Sequence, residues 1–397
     1  MSYAGERRIH DADSHVMETP GWLSGYADPV IRARLTEIDL NGTAPGEHER
    51  IERTRADHHD PTYREDDASQ LMLRKNWAAT GSFLAEDRPA ALDLLGFASQ
   101  LVFNTFASGV LAAAEQKGDH DLTYGMARAH NRAIAEFCSV DDRLLPVLYT
   151  PLADFERSTA MTREAIDMGA AAVMIPHACP PGHSPSHVLL EPVYAQCAEA
   201  GVAIVLHVGG GGQLMDPNYF RNGRPLVKDF HGGDGNFKSI DYLSIPVPVM
   251  QTLAALVVDG VLLRHPDLRI GVIELGASWF PGFIRNLDSA WNAFRKNEDR
   301  LQAMDLKPSE YCLRQMRVTP YPHEDTGWIV QNSSEEVCLF SSDFPHVEGG
   351  RNPLGRFDRS LAGCSPRATQ RFFWDNFVDL MGPQLQRRNL PHDVLAA

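Results

Sequence analysis

Two short polar clusters, one near each end of the chain, carry the residue types that grip a metal ion. Ile9-His10-Asp11-Ala12-Asp13-Ser14-His15 sets Asp13 and His15 two apart, and Val337-Cys338-Leu339-Phe340 runs into Ser341-Ser342-Asp343-Phe344-Pro345-His346. In a strand, residues i and i+2 share a face, so Asp13 and His15 can hold one ion. Two further apolar runs end in the same chemistry, at His207 in Val-Leu-His-Val and at Glu274 between Ile273 and Leu275. Imidazole with carboxylate suits Zn²⁺, Mn²⁺ or Fe²⁺, and no cysteine is placed for a softer site. Taken alone, His207 reads as a satisfied core histidine. Strand ends that repeat one chemistry favour a shared centre of Asp13, His15, His207 and Asp343. A carboxylate such as Glu274 is costly to bury alone, so it contacts a metal, a cation or a proton-transfer partner, or orients a ligand histidine. His177, after Ala-Ala-Val-Met-Ile-Pro, ends another run and reads equally as a substrate contact or a surface-loop residue. His346 lies close enough beyond Asp343 to reach the same mouth. His231 sits in a glycine-rich stretch that could carry it over a substrate as an acid or base.

These residues meet only if their runs are neighbouring strands. A short apolar, β-rich run followed by an amphipathic helical run recurs along the chain, the signature of βα units and a parallel sheet. Candidate strands are 7–15, 100–106, 143–150, 170–176, 202–208, 268–275, 315–319 and 336–342, with helices such as 119–139, 153–168, 188–200, 246–264 and 278–296 between them. Eight strands with intervening helices predict an α/β fold, the (β/α)8 TIM barrel, whose strand C-termini aim side chains into one mouth. A doubly wound open sheet is the competitor, but no Gly-x-Gly-x-x-Gly follows the first strand.

The whole chain, 1–397, reads as one metal-dependent barrel domain with two insertions. Residues 16–85 are polar, and 209–244 hold runs such as Gly209-Gly210-Gly211-Gly212. Both follow strands that end in candidate ligands, so we read them as lid-like insertions on the active-site face. An ordinary surface loop or an oligomer contact fits 16–85 equally well. Arg367–Met381 reads as an aromatic-rich, amphipathic C-terminal helix packed on the barrel.

Composition narrows the partners. Apolar residues make up 43% and charged residues 22%, ordinary for a globular protein. A net charge of −15 argues against nucleic acid or an anionic membrane as partner. Six scattered cysteines with no Cys-x-x-Cys pair read as reduced thiols, and no run approaches a membrane span or a leader, so a cytoplasmic protein is expected. No Gly-x-Ser-x-Gly elbow and no Walker-type loop is present. Arg64, Arg351 and Lys228 are candidate anion-binding groups for a carboxylated substrate, though each also reads as a solvated surface charge.

The pattern resembles the amidohydrolase-related family of the amidohydrolase superfamily, the group of aminocarboxymuconate-semialdehyde decarboxylase and aromatic-acid decarboxylases. The resemblance rests on the 10–15 motif, Ala91–Gly96, Leu206-His207, His265–Ile270 leading to Glu274–Trp279, Ser342–His346 and Trp374-Asp375-Asn376. It implies a divalent metal held by Asp13, His15, His207 and Asp343. Two residues depart from the family pattern. Asp13 stands where many relatives carry histidine or glutamate. Glu274 stands where decarboxylases of the family carry a catalytic histidine, and with His177 and His346 it could help hold a second metal.

The leading expectation is therefore a metal-dependent hydrolase or non-oxidative decarboxylase of a small, carboxylated molecule. Asp343 would move the proton, and Glu274 or His231 would act as a second acid/base. A dinuclear iron or manganese/iron oxygenase is the alternative, and a non-catalytic partner subunit of an active paralogue is a third. Homo- or hetero-oligomerisation is expected from the family. Asp343→Asn is expected to abolish turnover while leaving the far-ultraviolet circular dichroism unchanged; retained turnover contradicts the assignment.

Overall fold

A computed structural model describes residues 2–35, 46–209, 215–225 and 239–394. Seven strands, β1 (His10–His15), β2 (Ser99–Phe103), β3 (Leu144–Tyr149), β4 (Ala172–Met174), β5 (Ala203–His207), β6 (Ile270–Ile273) and β7 (Met316–Val318), form one sheet in chain order. Every neighbouring pair is parallel. All strand residues are buried, as expected when helices cover a parallel sheet. The covering helices include His120–Cys138, Phe155–Asp167, Glu191–Glu199, Pro246–Val258 and Phe280–Phe294.

Strand residues alternate between two apolar clusters. Ala203, Val205 and Ile273 belong to one, and Ile204, Leu206 and Val272 to the other. This period of two is what the sequence pattern demanded, and His207 continues the side of Ala203 and Val205.

The expected eighth strand is not a regular one. Residues 337–344 run between β7 and β1 and make only isolated bridges, Val318 with Cys338 and Ser14 with Phe344. They still join the two edges. Leu339 N–H donates to Val318 O at 2.9 Å on one side, while Ala12 N–H donates to Phe340 O at 3.0 Å and His15 N–H to Phe344 O at 2.7 Å on the other. The irregularity has a local cause: Asp343 sits at φ 52°, in the left-handed region, and interrupts the ladder. The seven-stranded sheet is thus curled so that both chain-end motifs lie side by side.

Helix Pro246–Val258 stops at Val258 and a separate turn, Val261–Arg264, follows left-handed Gly260 at φ 78°, where one longer helix was expected. By length and composition alone the helical stretch Ser239–Val258 could cross a membrane. Its Val249, Leu253, Leu256 and Val257 are instead part of the core. After β1, short helices including Trp22–Tyr26 and Glu47–His58 lead to Trp77, whose Nε1–H donates to Glu18 O at 3.2 Å. Of 209–244, only 209, 215–225 and 239–244 lie within the described residues, which exclude Lys228 and His231.

The chain after Pro366 is helical to Arg387, with a π-helical turn at Arg371–Asp375. Trp374 and Phe377 sandwich the His10 ring, at centroid distances of 4.0 and 4.8 Å, and the Arg8 guanidinium lies 3.8 Å from the Trp374 ring. Asn376 Nδ2–H donates to Cys338 O at 2.8 Å, tying this helix to the edge-joining segment. Trp374 is 1% exposed. Trp374→Ala is therefore expected to cost about 3–5 kcal/mol, seen as a lowered urea midpoint. A loss below about 1 kcal/mol would contradict this packing.

Candidate metal centre

Six of the expected residues converge. Ligand atoms of Asp13, His15, His207 and Glu274 lie within 4.8 Å of one another, and so do those of His15, Glu274, Asp343 and His346. All six residues are buried. His15 Nε2 is 3.2 Å from Asp13 Oδ1, 3.5 Å from Asp343 Oδ1 and 3.7 Å from Glu274 Oε2. His207 Nε2 is 3.3 Å from Asp13 Oδ1 and 3.2 Å from Glu274 Oε2. His346 Nδ1 is 3.0 Å from Asp343 Oδ1, and its ring stacks on His15 with centroids 3.8 Å apart.

The hydrogen-bond network assigns each tautomer. A carbonyl can only accept, so His15 Nδ1, 2.8 Å from Asn104 O, carries the proton. His207 Nδ1, 2.8 Å from Val208 O, does likewise. The Thr105 hydroxyl donates its one hydrogen to Val16 O at 2.9 Å, so at 2.8 Å it accepts from His346 Nε2–H. Burial and the neighbouring His346 push the His15 imidazole down from its ordinary value, which keeps it neutral. Three bare imidazole nitrogens therefore face three carboxylates. Asp13 Oδ2, His15 Nε2 and Asp343 Oδ1 have no hydrogen-bond partner among the described residues. Lone pairs of both kinds, buried and aimed at one another, fit a divalent cation, and the donors suit Zn²⁺, Mn²⁺ or Fe²⁺.

Local backbone explains the aim. Plain alternation would put Glu274 on the side of Val272, away from His207. Its φ of 53° breaks that alternation. The turn is held from β7 and beyond: Glu274 N–H donates to Thr319 Oγ1 at 2.8 Å, and Tyr321 O–H donates to Glu274 O at 2.7 Å. A second left-handed residue, Asp343, is backed by Gly349, where a Cβ would come 2.2 Å from Ser342 O and 3.0 Å from Asp343 Cβ. Non-glycine residues at positive φ cost about 1–2 kcal/mol each, and two among six candidate ligands mark a site the rest of the fold over-determines.

Asp11, not singled out from the sequence as a site residue, couples the two motifs. Its carboxylate accepts from Gln100 Nε2 at 2.7 Å, Ser342 N at 2.8 Å and Ser342 Oγ at 2.6 Å. Burial pushes its carboxyl up to about 7 against these hydrogen bonds. Asn104 and Thr105, which orient His15 and His346, were also missed, since a carbonyl and one threonine carry no sequence signal of their own.

His177 is buried beyond the end of β4 and lies outside both clusters; its carbonyl accepts from Thr252 Oγ1 at 2.9 Å. Arg64 is spent on Asp67 at 2.5 Å and Asp87 at 2.8 Å, so it is an internal ion-pair partner rather than an anion site. His231 and Lys228 lie outside the described residues. Added Mn²⁺ at about 100 times its dissociation constant is expected to stabilise the metal-free chain by about 2.7 kcal/mol, read as a raised melting temperature. Combining Asp13→Ala with His207→Ala should remove that rise; an equal rise in the double variant would place the ion elsewhere.

Known structures share this fold. No curated protein matches the chain in sequence. An amidohydrolase from Mycobacterium avium subsp. paratuberculosis is 22% identical, with a TM-score of 0.74 over 95% of this chain and 100% of that one. A 5-carboxyvanillate decarboxylase from Novosphingobium aromaticivorans, solved with manganese and 3-methoxy-4-hydroxy-5-nitrobenzoic acid, is 16% identical, with a TM-score of 0.63 over 96% and 99%. A dihydroxybenzoic acid decarboxylase from a Polaromonas species, solved with manganese and 2-nitroresorcinol, is 16% identical, with a TM-score of 0.61 over 96% and 98%. The amidohydrolase family signature matches residues 11–377, which reach from the first cluster past the last, and the chain belongs to that family.

Proposed function

We propose that the chain is a divalent-metal enzyme acting on a small carboxylated molecule, by hydrolysis or by loss of CO2 without an oxidant. The observation that carries this reading is the set of three bare imidazole nitrogens facing three buried carboxylates. Asp13, His15, His207 and Asp343 would hold the ion, which polarises a substrate oxygen and lowers the pKa of water. Asp343 Oδ1, without a hydrogen-bond partner among the described residues, would take a proton from water or a substrate hydroxyl and return it to the leaving atom. Glu274 is the second acid/base. The manganese-containing decarboxylases of aromatic acids among the similar structures support a carboxylated, aromatic substrate. The described parts of segments 16–85 and 209–244, which follow β1 and β5, would shape its pocket.

One observation favours a second reading. The two ligand clusters share His15 and Glu274. A bare nitrogen serves one ion, but the Glu274 carboxylate has two oxygens and can serve two. Asp13, His15 and His207 would then face one ion, and Asp343 and His346 another, as a dinuclear iron or manganese/iron oxygenase requires. Oxygen dependence separates the readings. The chain, purified anaerobically and loaded with Mn²⁺, is offered hydroxybenzoates, other small carboxylates and their amides. Product formed without O2 is expected; product that needs O2, with two redox-active ions per chain, overturns the first reading in favour of the second.

A further inference from the structure

Glu18 lies three residues beyond His15 and is fully buried, yet among the described residues no cation pairs with its carboxylate. It accepts instead from three successive backbone N–H groups: Thr105 at 3.1 and 3.0 Å, Phe106 at 3.0 Å and Ala107 at 2.9 Å. These open helix Ala107–Gln116, whose own N-cap residue, Phe106, has no side chain able to cap it. A carboxylate there satisfies orphan donors and complements the helix dipole, which would be a sufficient structural role.

The backbone it clamps does more than start a helix. Asn104 O fixes the His15 Nδ1 proton, and Thr105 Oγ1 fixes the His346 Nε2 proton. These two rings stack on each other, and they come from opposite ends of the chain. The clamp is laced to β1 on its other side as well: Val16 N–H donates to Phe103 O at 2.9 Å, and Thr105 Oγ1–H to Val16 O at 2.9 Å. One carboxylate thus holds the strip of backbone from which both histidines take their orientation. If Thr105 moved or lost its hydroxyl, the His346 Nε2 proton would lose the acceptor that the hydroxyl provides, and the tautomer that turns Nδ1 toward Asp343 would lose that support.

We propose that Glu18 is a positioning residue of the metal centre: through Asn104 O and Thr105 Oγ1 it sets the tautomer and the aim of His15 and His346 together. The inference rests on the metal reading above, and its test separates the two. Wild type, Thr105→Val, Thr105→Ser and Glu18→Gln are prepared metal-free as the full chain. Side-chain ¹⁵N NMR of histidine-labelled protein reports the His346 tautomer without any metal. Nε2–H with a bare Nδ1 is expected in wild type and in Thr105→Ser, and a shifted tautomer ratio in Thr105→Val. Mn²⁺ titration is expected to show about 10–100-fold weaker binding in Thr105→Val and in Glu18→Gln, with affinity restored in Thr105→Ser. Thr105→Val also orphans Val16 O, so its metal-free melting temperature is expected to fall; a purely structural role would lower the melting temperature and leave the His346 tautomer as in wild type. Unchanged Mn²⁺ affinity in both Thr105→Val and Glu18→Gln, or an unchanged His346 tautomer in Thr105→Val, overturns the proposal. Wild type that binds no divalent ion overturns the metal reading, and the tautomer measurement then still decides the positioning. Should Glu18→Gln fail to fold, Glu18→Asp, which shortens the reach to the three N–H groups, replaces it, and an unchanged Mn²⁺ affinity with an unchanged His346 tautomer in that variant overturns the proposal.

Discussion

The crowding of three buried carboxylates into one space is the constraint on which the rest of this structure depends. Asp13 and Glu274, and Glu274 and Asp343, bring ligand oxygens within 4.8 Å of each other. Two such charges at about 4 Å repel by about 4 kcal/mol at an effective dielectric of about 20, several times the net worth of one hydrogen bond. The N–H groups of the three neighbouring imidazoles are directed to Asn104 O, Val208 O and Thr105 Oγ1. Arg88 is fully buried nearby and donates to His15 O at 3.0 Å, but it reaches the backbone and not a carboxylate of the cluster. A cation between the six side chains resolves the repulsion and uses every bare lone pair at once.

The fold is arranged to make that crowding unavoidable. Parallel strands in chain order put β1, β5 and β6 ends on one rim, and the 337–344 segment joins β7 back to β1. Asp11 then ties the two chain-end motifs through Ser342. Below the sheet, the C-terminal helix braces the same junction through Asn376 and through the rings around His10. Stability built into the lower end offsets the cost of left-handed residues and unsatisfied polar atoms at the upper end. The division of labour suits a curled parallel sheet, where chemistry collects at strand C-termini.

Much of this was legible because period-two alternation and ligand chemistry coincide. Val-Ala-Ile-Val-Leu-His is both a buried strand and a line of sight to the site, so His207 could be placed from its neighbours. Asp13, His15 and Asp343 could be paired because apolar runs precede them. Glu274 could be identified as chemically important but not aimed: its φ is set by Thr319 and Tyr321, which lie far along the chain. The eighth strand was expected to be regular, and it is not, because Asp343 needs a backbone conformation that a ladder cannot supply. His177 ends an apolar run as the other candidates do, yet it lies outside both clusters of ligand atoms. Glu18, Asn104 and Thr105 were illegible for a simpler reason: their role is to orient a proton on another side chain, and only the folded network shows which proton.

Anomalous diffraction at the manganese edge, on crystals of the full chain grown with Mn²⁺, is the most direct measurement. A peak bonded to His15 Nε2, His207 Nε2 and the Asp13 and Asp343 carboxylates is the predicted result, with Nδ1 of His15 still on Asn104 O. The contradicting result is a map with no anomalous peak there and with His15 Nε2 donating directly to Asp13, which would make these six residues a hydrogen-bonded core and not a metal centre.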